Sequence, residues 1–207
     1  MKKSKKLKIL LFFFQETIMI KGSHNTMTYL KPDKFIFRLF KFMYQCQDKN
    51  LKEQYDEGIR CFDLRIKWKK DKWVFAHGYY YSSDMDLTSV LNNLNAWAVM
   101  NQEKIYVRIL LEISEYNKII EDKFADLCRS LKSKYSEYLI FFEGRRKYDW
   151  NILYNFGFYP NVIQYTGSMQ KWWGKIWPYI YALFYNDKNM KKAEADSSDS
   201  IYLFDFI

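Results

Sequence analysis

The sequence contains few glycines and prolines, which occur in flexible linkers, and few cysteines, which form disulfides. Its 207 residues include only 7 Gly and 3 Pro, which leaves little material for flexible linkers. The 3 cysteines, Cys46, Cys61 and Cys128, are odd in number and widely spaced, which argues against a disulfide framework and fits a reducing compartment. With 49% hydrophobic and 20% aromatic residues, the chain is expected to fold as one globular domain.

Long hydrophobic runs are also missing. The run Ile9 to Phe14 is too short to span a membrane. It follows the basic start MKKSKKLK and so resembles the beginning of a signal peptide, but no small-residue cleavage site follows it. We expect no export, and a location in the cytoplasm or at a membrane periphery. We expect the folded domain to cover residues 17–207. Residues 1–16 are a basic and apolar extension that need not belong to it. Alternatively, translation of the natural protein begins at Met19.

Negative charge is outnumbered, with 33 Lys and Arg against 24 Asp and Glu, for a net charge of +9. Basic stretches such as KWKKDK bind nucleic acids or anionic membranes in some proteins, but a solubilising surface is the simpler interpretation. Neither zinc-finger spacing nor a recognition-helix pattern is present. We therefore expect no nucleic-acid partner.

Strand-like and helix-like patterns alternate along the chain. The strand-like runs are TIMIKG, IRCFDLRI, KWVFAH, KIYVRILLEI, EYLIFFEG, NVIQY and IYLFDF, and helical periodicity covers about 35–57, 87–101, 118–134 and 169–186. Such alternation predicts parallel strands joined by crossover helices, hence an α/β fold. Seven strands approach a TIM barrel, although the chain is short for one, and an open doubly wound sheet is the alternative.

Polar side chains lie near the ends of several predicted strands, where both architectures place their ligand sites. In IRCFDLRI, strand alternation puts Cys61, Asp63 and Arg65 on one face and the apolar residues on the other. The other such residues are His24, His77, Glu112 and Asp205. Each alone has an ordinary structural explanation, such as a core histidine or an ion pair. Together they suggest a site, because burying unpaired charges at unrelated positions is costly.

The common hydrolase signatures are absent. There is no Gly-x-Ser-x-Gly elbow, no glycine-rich phosphate loop and no His/Cys metal-binding spacing. Two histidines with carboxylate partners suit general acid–base catalysis, and an arginine between them suits a phosphorane-like transition state. The residues therefore favour cleavage of a phosphodiester.

Four segments, GSHNT, QYDEGIRCFDLRI, WVFAHGY and VRILLEIS, resemble in order and spacing the X-domain motifs of phosphatidylinositol-specific phospholipase C. The resemblance covers about residues 17–116, and YLFDFI is similar to the end of the bacterial enzymes. It implies a single-domain, distorted or incomplete TIM barrel. It also implies attack of the inositol 2-hydroxyl on phosphorus, with release of diacylglycerol and a cyclic inositol phosphate. The expected partner is a phospholipid or inositol phosphodiester substrate, with peripheral membrane contact, and the protein is expected to act as a monomer.

The resemblance assigns roles residue by residue. His24 is the expected general base and Asp205 its orienting partner. His77 is the expected general acid, with Asp63 beside it, and Arg65 binds the phosphate. In the calcium-dependent branch of the family the position of Arg65 carries a metal-ligand carboxylate. The arginine therefore predicts a metal-independent enzyme without a cofactor, as in the bacterial branch.

Other candidate positions have two interpretations each. Asn25 and Glu112 resemble metal-ligand positions of the calcium-dependent branch, but here we expect Glu112 to pair with Arg65 or with a substrate hydroxyl. Arg145 and Arg146, in FFEGRRKYDW, either bind the headgroup or belong to a surface loop. The tryptophans in SMQKWWGKIWPYIYALF form either a membrane interface or the core face of a helix, and we favour the core; they are Trp172, Trp173 and Trp177.

Three other functions fit the pattern less well. One is the same fold and chemistry acting on a different polyol or glycosyl phosphodiester. Another is an inactive lipid-binding relative, against which the complete set of polar residues argues. The third is glycerophosphodiester phosphodiesterase, which uses paired metal-binding acids where this chain has Arg65.

Overall fold

The computed structural model describes residues 19–112, 117–135, 137–145, 149–153 and 161–207. Its nine strands form one sheet. The strands are β1 (Met19–Ser23), β2 (Cys61–Lys69), β3 (Lys72–His77), β4 (Tyr80–Ser82), β5 (Ile105–Leu111), β6 (Leu139–Gly144), β7 (Asn151–Ile152), β8 (Asn161–Tyr165) and β9 (Ser200–Phe204). The helices are α1 (Phe35–Leu39), α2 (Leu51–Asp56), α3 (Leu87–Asn101), α4 (Lys118–Lys134), α5 (Gly167–Gln170) and α6 (Pro178–Ala195).

The sheet follows the order β7-β6-β5-β2-β1-β9-β8. In the described part of the chain, the six strands from β6 to β8 along this path run parallel, and β7 is an antiparallel edge. The sheet curls into part of a barrel. The predicted α/β fold, a distorted or incomplete TIM barrel in a single domain, is thus confirmed.

One strand departs from the predicted parallel arrangement. β3 runs antiparallel to β2, with Ile66 opposite Phe75, and continues into the short strand β4. Lys70 and Asp71 both have positive φ angles of 49° and 59°, which close the tight turn between β2 and β3. The chain therefore doubles back along β2 and brings His77 down towards the parallel part of the sheet.

The two faces of the sheet have different contents, as the alternation in β2 predicts. Phe62, Leu64 and Ile66 join the main core, which lies between the sheet and the helices. Cys61 instead joins a second cluster with residues of β1, β5, β6 and β9 on the concave side. Asp63 and Arg65 share that side of β2, so the polar groups lie inside the curl of the sheet.

Two of the four predicted helices are confirmed. Helices α3 and α4 occupy 87–101 and 118–134, and the side chains of Asp86 and Asn117 cap their N-termini by accepting backbone N–H bonds. The predicted helix at 35–57 is wrong, because α1 and α2 flank an irregular segment. In that segment the backbone N–H groups of Cys46 and Gln47 donate to the hydroxyl of Thr28 instead of to a helix.

The predicted helix at 169–186 is also wrong in position. The long helix α6 begins at Pro178, a residue suited to a first helical turn, and a 3₁₀ turn over Trp173–Lys175 precedes it. The tryptophans do not form a helical core face, since Trp172 is 76% exposed and Trp177 is 41% exposed. No helix in the described residues is long and apolar enough to cross a membrane.

Candidate active site

Strand register brings the first polar residues together. β1 and β9 are parallel with Ser23 opposite Phe204, so the next residues, His24 and Asp205, lie side by side. The backbone N–H of His24 donates to the carbonyl of Phe204 at 2.9 Å and extends the ladder by one bond. Two neighbouring parallel strands thus deliver an imidazole and a carboxylate to one edge of the sheet.

The His24 ring is held from both sides. Its Nδ1 lies 2.6 Å from Oδ1 of Asp205, whose other oxygen accepts the backbone N–H of Gly167 at 2.9 Å. Nη2 of Arg65 donates to Nε2 of His24 at 2.7 Å. Because a guanidinium only donates, Nε2 presents its lone pair and the ring proton lies on Nδ1. This is the tautomer that a general base needs.

Arg65 is the central cation of the site. Besides His24, it donates from Nε to Oδ2 of Asp63 at 3.0 Å and from Nη1 to Oε1 of Glu112 at 3.1 Å. Burial alone would lower the pKa of Arg65, but the carboxylates of Asp63 and Glu112 raise it. The guanidinium is 5% exposed and remains charged beside the imidazole.

Asp63 is held between two arginines. It lies opposite Arg108 in the β2–β5 pairing, and Nη1 of Arg108 donates to its Oδ1 at 3.2 Å. Its Oδ2 accepts from Arg65 and from the backbone N–H of Asn25 at 3.2 Å. Burial alone would raise the pKa of Asp63, but the two guanidinium groups hold it well below its usual range.

Asp63 does not form a hydrogen bond with His77, because both of its carboxylate oxygens accept from other donors. Nδ1 of His77 instead lies 2.9 Å from the backbone carbonyl of Tyr44. Since a carbonyl only accepts, Nδ1 carries the proton and Nε2 is free of one in this state. Burial, together with the charge of Arg65, lowers the pKa of His77 from 6.5 to about 4.

Asn25 links the two histidines. Its backbone is left-handed, with φ 49° and ψ 51°, and its Nδ2 lies 3.3 Å from Nε2 of both His24 and His77. The two rings are edge to face with their centroids 6.4 Å apart. Oδ1 of Asn25 is buried without a hydrogen-bond partner. The amide therefore has an acceptor available for another group in the site.

The two headgroup candidates on the fifth predicted strand do not join this cluster. Arg145 is paired with Glu121 of α4, with Nε 3.4 Å from Oε2, and so is directed at that helix. Arg146 lies outside the described residues. Glu112, in contrast, does reach the site through its ion pair with Arg65.

Sequence reasoning missed three residues of the site. Arg108 is completely buried and donates from Nε to the carbonyl of Asp149 at 3.0 Å. It shares the strand face of Glu112, and this spacing was the available signal. Gln47 donates to the carbonyls of His24 and Phe204, and Cys46 receives a contact from Nδ2 of Asn25 at 3.4 Å. No sequence pattern marks either, because both belong to the irregular segment before α2.

The residues do not fit a calcium ion. The three candidate oxygen ligands are Asn25, Asp63 and Glu112, whereas calcium takes six to eight oxygens. Arg65 donates to two of the three, and Arg108 occupies the remaining oxygen of Asp63. A cation among these groups would face a guanidinium instead of free carboxylates.

Comparison with known proteins gives this arrangement a context. The sequence model of the family described as phosphatidylinositol-specific phospholipase C, X domain, matches residues 17–144. No curated protein matches the chain. The structure is similar to the phosphatidylinositol-specific phospholipase C from Listeria monocytogenes, with a TM-score of 0.65 and 17% identity over 92% of this chain and 89% of that one.

Structures of the Staphylococcus aureus phosphatidylinositol-specific phospholipase C are also similar. A variant of that enzyme gives a TM-score of 0.62 at 15% identity, covering 92% of this chain and 86% of that one. Another, from work on modulating its membrane binding, gives a TM-score of 0.60 at 14% identity, covering 93% and 87%. These likenesses agree in fold, and the sequence match covers more than half of the chain. The chain therefore belongs to the phosphatidylinositol-specific phospholipase C X-domain family.

Proposed function

We propose that the protein cleaves phosphatidylinositol-like lipids to diacylglycerol and a cyclic inositol phosphate without a metal ion. Family membership and fold support phosphatidylinositol phospholipase activity. The observation that carries the finer proposal is the position of His24, with Asp205 at 2.6 Å on one nitrogen and Arg65 at 2.7 Å on the other. The residues that we propose as base, orienting acid and phosphate-binding cation are therefore in direct contact.

In the proposed reaction, Nε2 of His24 takes the proton of the inositol 2-hydroxyl. The resulting oxygen attacks phosphorus, the bond from phosphorus to the diacylglycerol oxygen breaks, and His77 protonates the leaving oxygen. Atoms balance without a water molecule. Asp205 stabilises the imidazolium of His24 as it forms, and acid–base assistance of this kind typically contributes about 10²–10⁴-fold to the rate.

His77 needs a proton on Nε2 to act as the acid, yet its pKa in the free protein is about 4. A bound phosphodiester brings a negative charge next to Arg65 and offsets the repulsion that this arginine exerts on an imidazolium. The carbonyl of Tyr44 accepts from Nδ1 in either protonation state. We therefore propose that substrate binding itself raises the pKa of His77, so that its Nε2 becomes protonated and can act as the general acid.

Arg65 supplies the positive charge that a metal provides elsewhere. Arg65 and Arg108 are matched by the carboxylates of Asp63 and Glu112, so these four groups together carry no excess charge. What Arg65 offers is a fixed N–H donor at Nη2 beside Nε2 of His24, which would act on the phosphate and on the transition state most strongly in a water-poor site. Asn25 and Glu112, beside His24 and Arg65, are proposed to bind the inositol hydroxyls.

The surface around the site fits a lipid membrane as the place of action. We call its exposed apolar side chains the apolar rim. One part of the rim lies on α1 and on the 3₁₀ turn Lys41–Met43. The other part lies on α6 and on the segment just before it. The two parts are neighbours, because α6 packs against that 3₁₀ turn. Its members are Phe35, Ile36, Leu39, Phe40, Phe42, Trp172, Trp177, Tyr179, Leu183 and Phe184.

Charge and connectivity support this surface. Lys31, Lys34, Lys171 and Lys175 are exposed around the rim and suit an anionic lipid headgroup layer. Both parts of the rim connect to the site, one through Tyr44 and the other through Gly167. We propose that residues 17–207 form the catalytic unit and that the protein acts on the membrane as a monomer.

Release of diacylglycerol from phosphatidylinositol vesicles in excess EDTA tests the proposal. The wild-type chain is expected to remain fully active, while His24→Gln and His77→Gln each lose at least about 10²-fold. Lys118→Gln, an exposed change on α4 outside the rim, is the matched control for handling and folding. Loss of wild-type activity in EDTA with recovery in calcium would contradict metal independence, and full activity of either histidine variant would contradict the mechanism.

A further inference from the structure

A second donor set lies against the proposed general base. Among the described residues, a ring nitrogen of His24, the sulfur of Cys46 and a carboxylate oxygen of Asp205 lie within 4.8 Å of one another. Each of these side chains belongs to a residue that is 1% exposed. We propose that they form an inhibitory binding site for a thiophilic divalent cation such as Zn²⁺.

The kinds of ligand select the kind of cation. Nitrogen, sulfur and one carboxylate oxygen are the ligands that zinc takes in proteins, usually four in a tetrahedron, whereas calcium and magnesium bind oxygen. In a tetrahedron with zinc bonds of about 2.0–2.3 Å, neighbouring ligand atoms lie roughly 3–4 Å apart. The three ligand atoms lie within 4.8 Å of one another. The widest separation among them has to shorten, and where Nδ1 of His24 is the ligand its 2.6 Å contact with Oδ1 of Asp205 has to open.

Asn25 gives an independent indication of a ligand at this point. Its residue is 2% exposed, its Nδ2 lies 3.4 Å from the sulfur of Cys46, and its Oδ1 has no hydrogen-bond partner. A half-turn of the amide puts the oxygen where the nitrogen now lies, beside the sulfur. Asn25 thereby supplies the fourth ligand, an amide oxygen, and this buried acceptor gains a partner.

Charges of both signs act on a cation here. Arg65, 2.7 Å from Nε2 of His24, opposes it, whereas the carboxylate of Asp205 and the thiolate formed on binding favour it. Burial, reinforced by the charge of Asp205, raises the pKa of the Cys46 thiol well above its ordinary value, so the thiol is protonated before binding. The metal–sulfur bond therefore replaces a sulfur–hydrogen bond, and the thiol proton leaves to solvent.

Either mode of ligation would disable His24 as a base. A metal on Nε2 takes the lone pair that accepts the substrate proton and displaces the N–H of Arg65 from it. A metal on Nδ1 leaves the ring proton on Nε2, so Arg65, which can only donate, has to withdraw there too and no lone pair remains for the substrate proton. Inhibition rests on the proposed function, but binding of the metal does not, and the two are measured separately.

The test uses the full chain, stripped with EDTA and titrated with Cd²⁺ and Zn²⁺ alone. We expect one Cd²⁺ per chain with ultraviolet thiolate-to-metal charge-transfer absorption. One Zn²⁺ is expected to release one proton into a weakly buffered solution. Cys46→Ala and Cys46→Ser should remove the absorption and weaken binding at least about 10–100-fold. The matched control is Cys128→Ala, a buried cysteine of the main core, which should bind like the wild type.

Inhibition is scored against each variant's own metal-free rate on phosphatidylinositol. Zn²⁺ should inhibit the wild type and Cys128→Ala at equal concentrations, and Cys46→Ala only at concentrations about 10–100-fold higher. Circular dichroism establishes that each variant is folded. Equal Cd²⁺ binding by folded wild type and Cys46→Ala would overturn the site. A Cys46-dependent absorption in a protein that lacks phospholipase activity would retain the site and reject the proposed function.

Discussion

Asp63 accepts a hydrogen bond from Arg65 on one oxygen, at 3.0 Å, and from Arg108 on the other, at 3.2 Å. All three side chains are buried, and Arg108 is completely so. An ion pair without solvent is destabilised strongly when one partner is removed, because the other charge remains unpaired. The pair of arginines around one carboxylate is therefore both a structural and an electrostatic support for the site.

Replacing Arg108 should damage stability and activity together. Arg108→Met is expected to lose about 3–5 kcal/mol in the free energy of unfolding, measured with urea, and Arg108→Lys less. Arg129→Met is the control, because Arg129 pairs with Asp126 in an exposed position on α4 and should lose only about 0–1 kcal/mol. An Arg108→Met protein as stable as Arg129→Met would show that Asp63 does not depend on Arg108.

Replacing Asp205 tests the orientation of the base. Asp205→Asn keeps the size of the side chain but presents a donor or a neutral acceptor to Nδ1 of His24. We expect kcat on phosphatidylinositol to fall by about 10²–10⁴-fold with an unchanged circular dichroism spectrum. Asp122→Asn, at an exposed carboxylate of α4, should keep its activity. Equal loss in the two variants would mean that Asp205 does not act through His24.

The depressed pKa of His77 is directly measurable, because the chain has only two histidines. In a proton NMR titration, the His77 ring signal should remain that of the neutral form as the pH falls past 6.5, and should change only near 4. Addition of inositol 1-phosphate should move its midpoint upward, because the phosphate offsets the charge of Arg65. A titration midpoint near 6.5 in the free protein would contradict the environment described for His77. A midpoint that inositol 1-phosphate does not move would contradict the proposal that substrate binding raises this pKa.

The apolar rim should govern binding to lipid surfaces. Trp172 is 76% exposed, and its replacement by alanine is expected to weaken binding to phosphatidylinositol vesicles about 10-fold in a sedimentation assay, equivalent to about 1.4 kcal/mol. Ile119→Ala is the control, since Ile119 is 69% exposed on α4, outside the rim. If both changes have the same small effect, the rim is not the membrane surface.

Much of the fold was predictable from period and order alone. The strands β1, β2, β5 and β9 are apolar runs with polar residues on them or just after them, and the parallel register of β1 and β9 then places His24 beside Asp205. Helices α3 and α4 follow from clear periodicity and capping residues. Here local pattern and tertiary structure agree.

The remainder depends on contacts between distant segments. The partner of His77 is a backbone carbonyl, that of Tyr44, which no side-chain pattern can indicate. The helix predicted over 35–57 is interrupted where the backbone N–H groups of Cys46 and Gln47 donate to the hydroxyl of Thr28 instead of to carbonyls of a helix. Arg108 shares the strand face of Glu112, but only the pairing of β2 with β5 places it opposite Asp63.

The central claim is that His24 and Arg65 direct the inositol 2-hydroxyl onto phosphorus without a metal. Phosphorus NMR of phosphatidylinositol in detergent micelles, followed with the protein in excess EDTA, tests it most directly. The account predicts that the lipid signal is replaced by that of a five-membered cyclic phosphodiester, and that Arg65→Gln slows this step by at least about 10²-fold. Appearance of a phosphomonoester or phosphatidic acid as the first product, or turnover only after calcium is added, would contradict it.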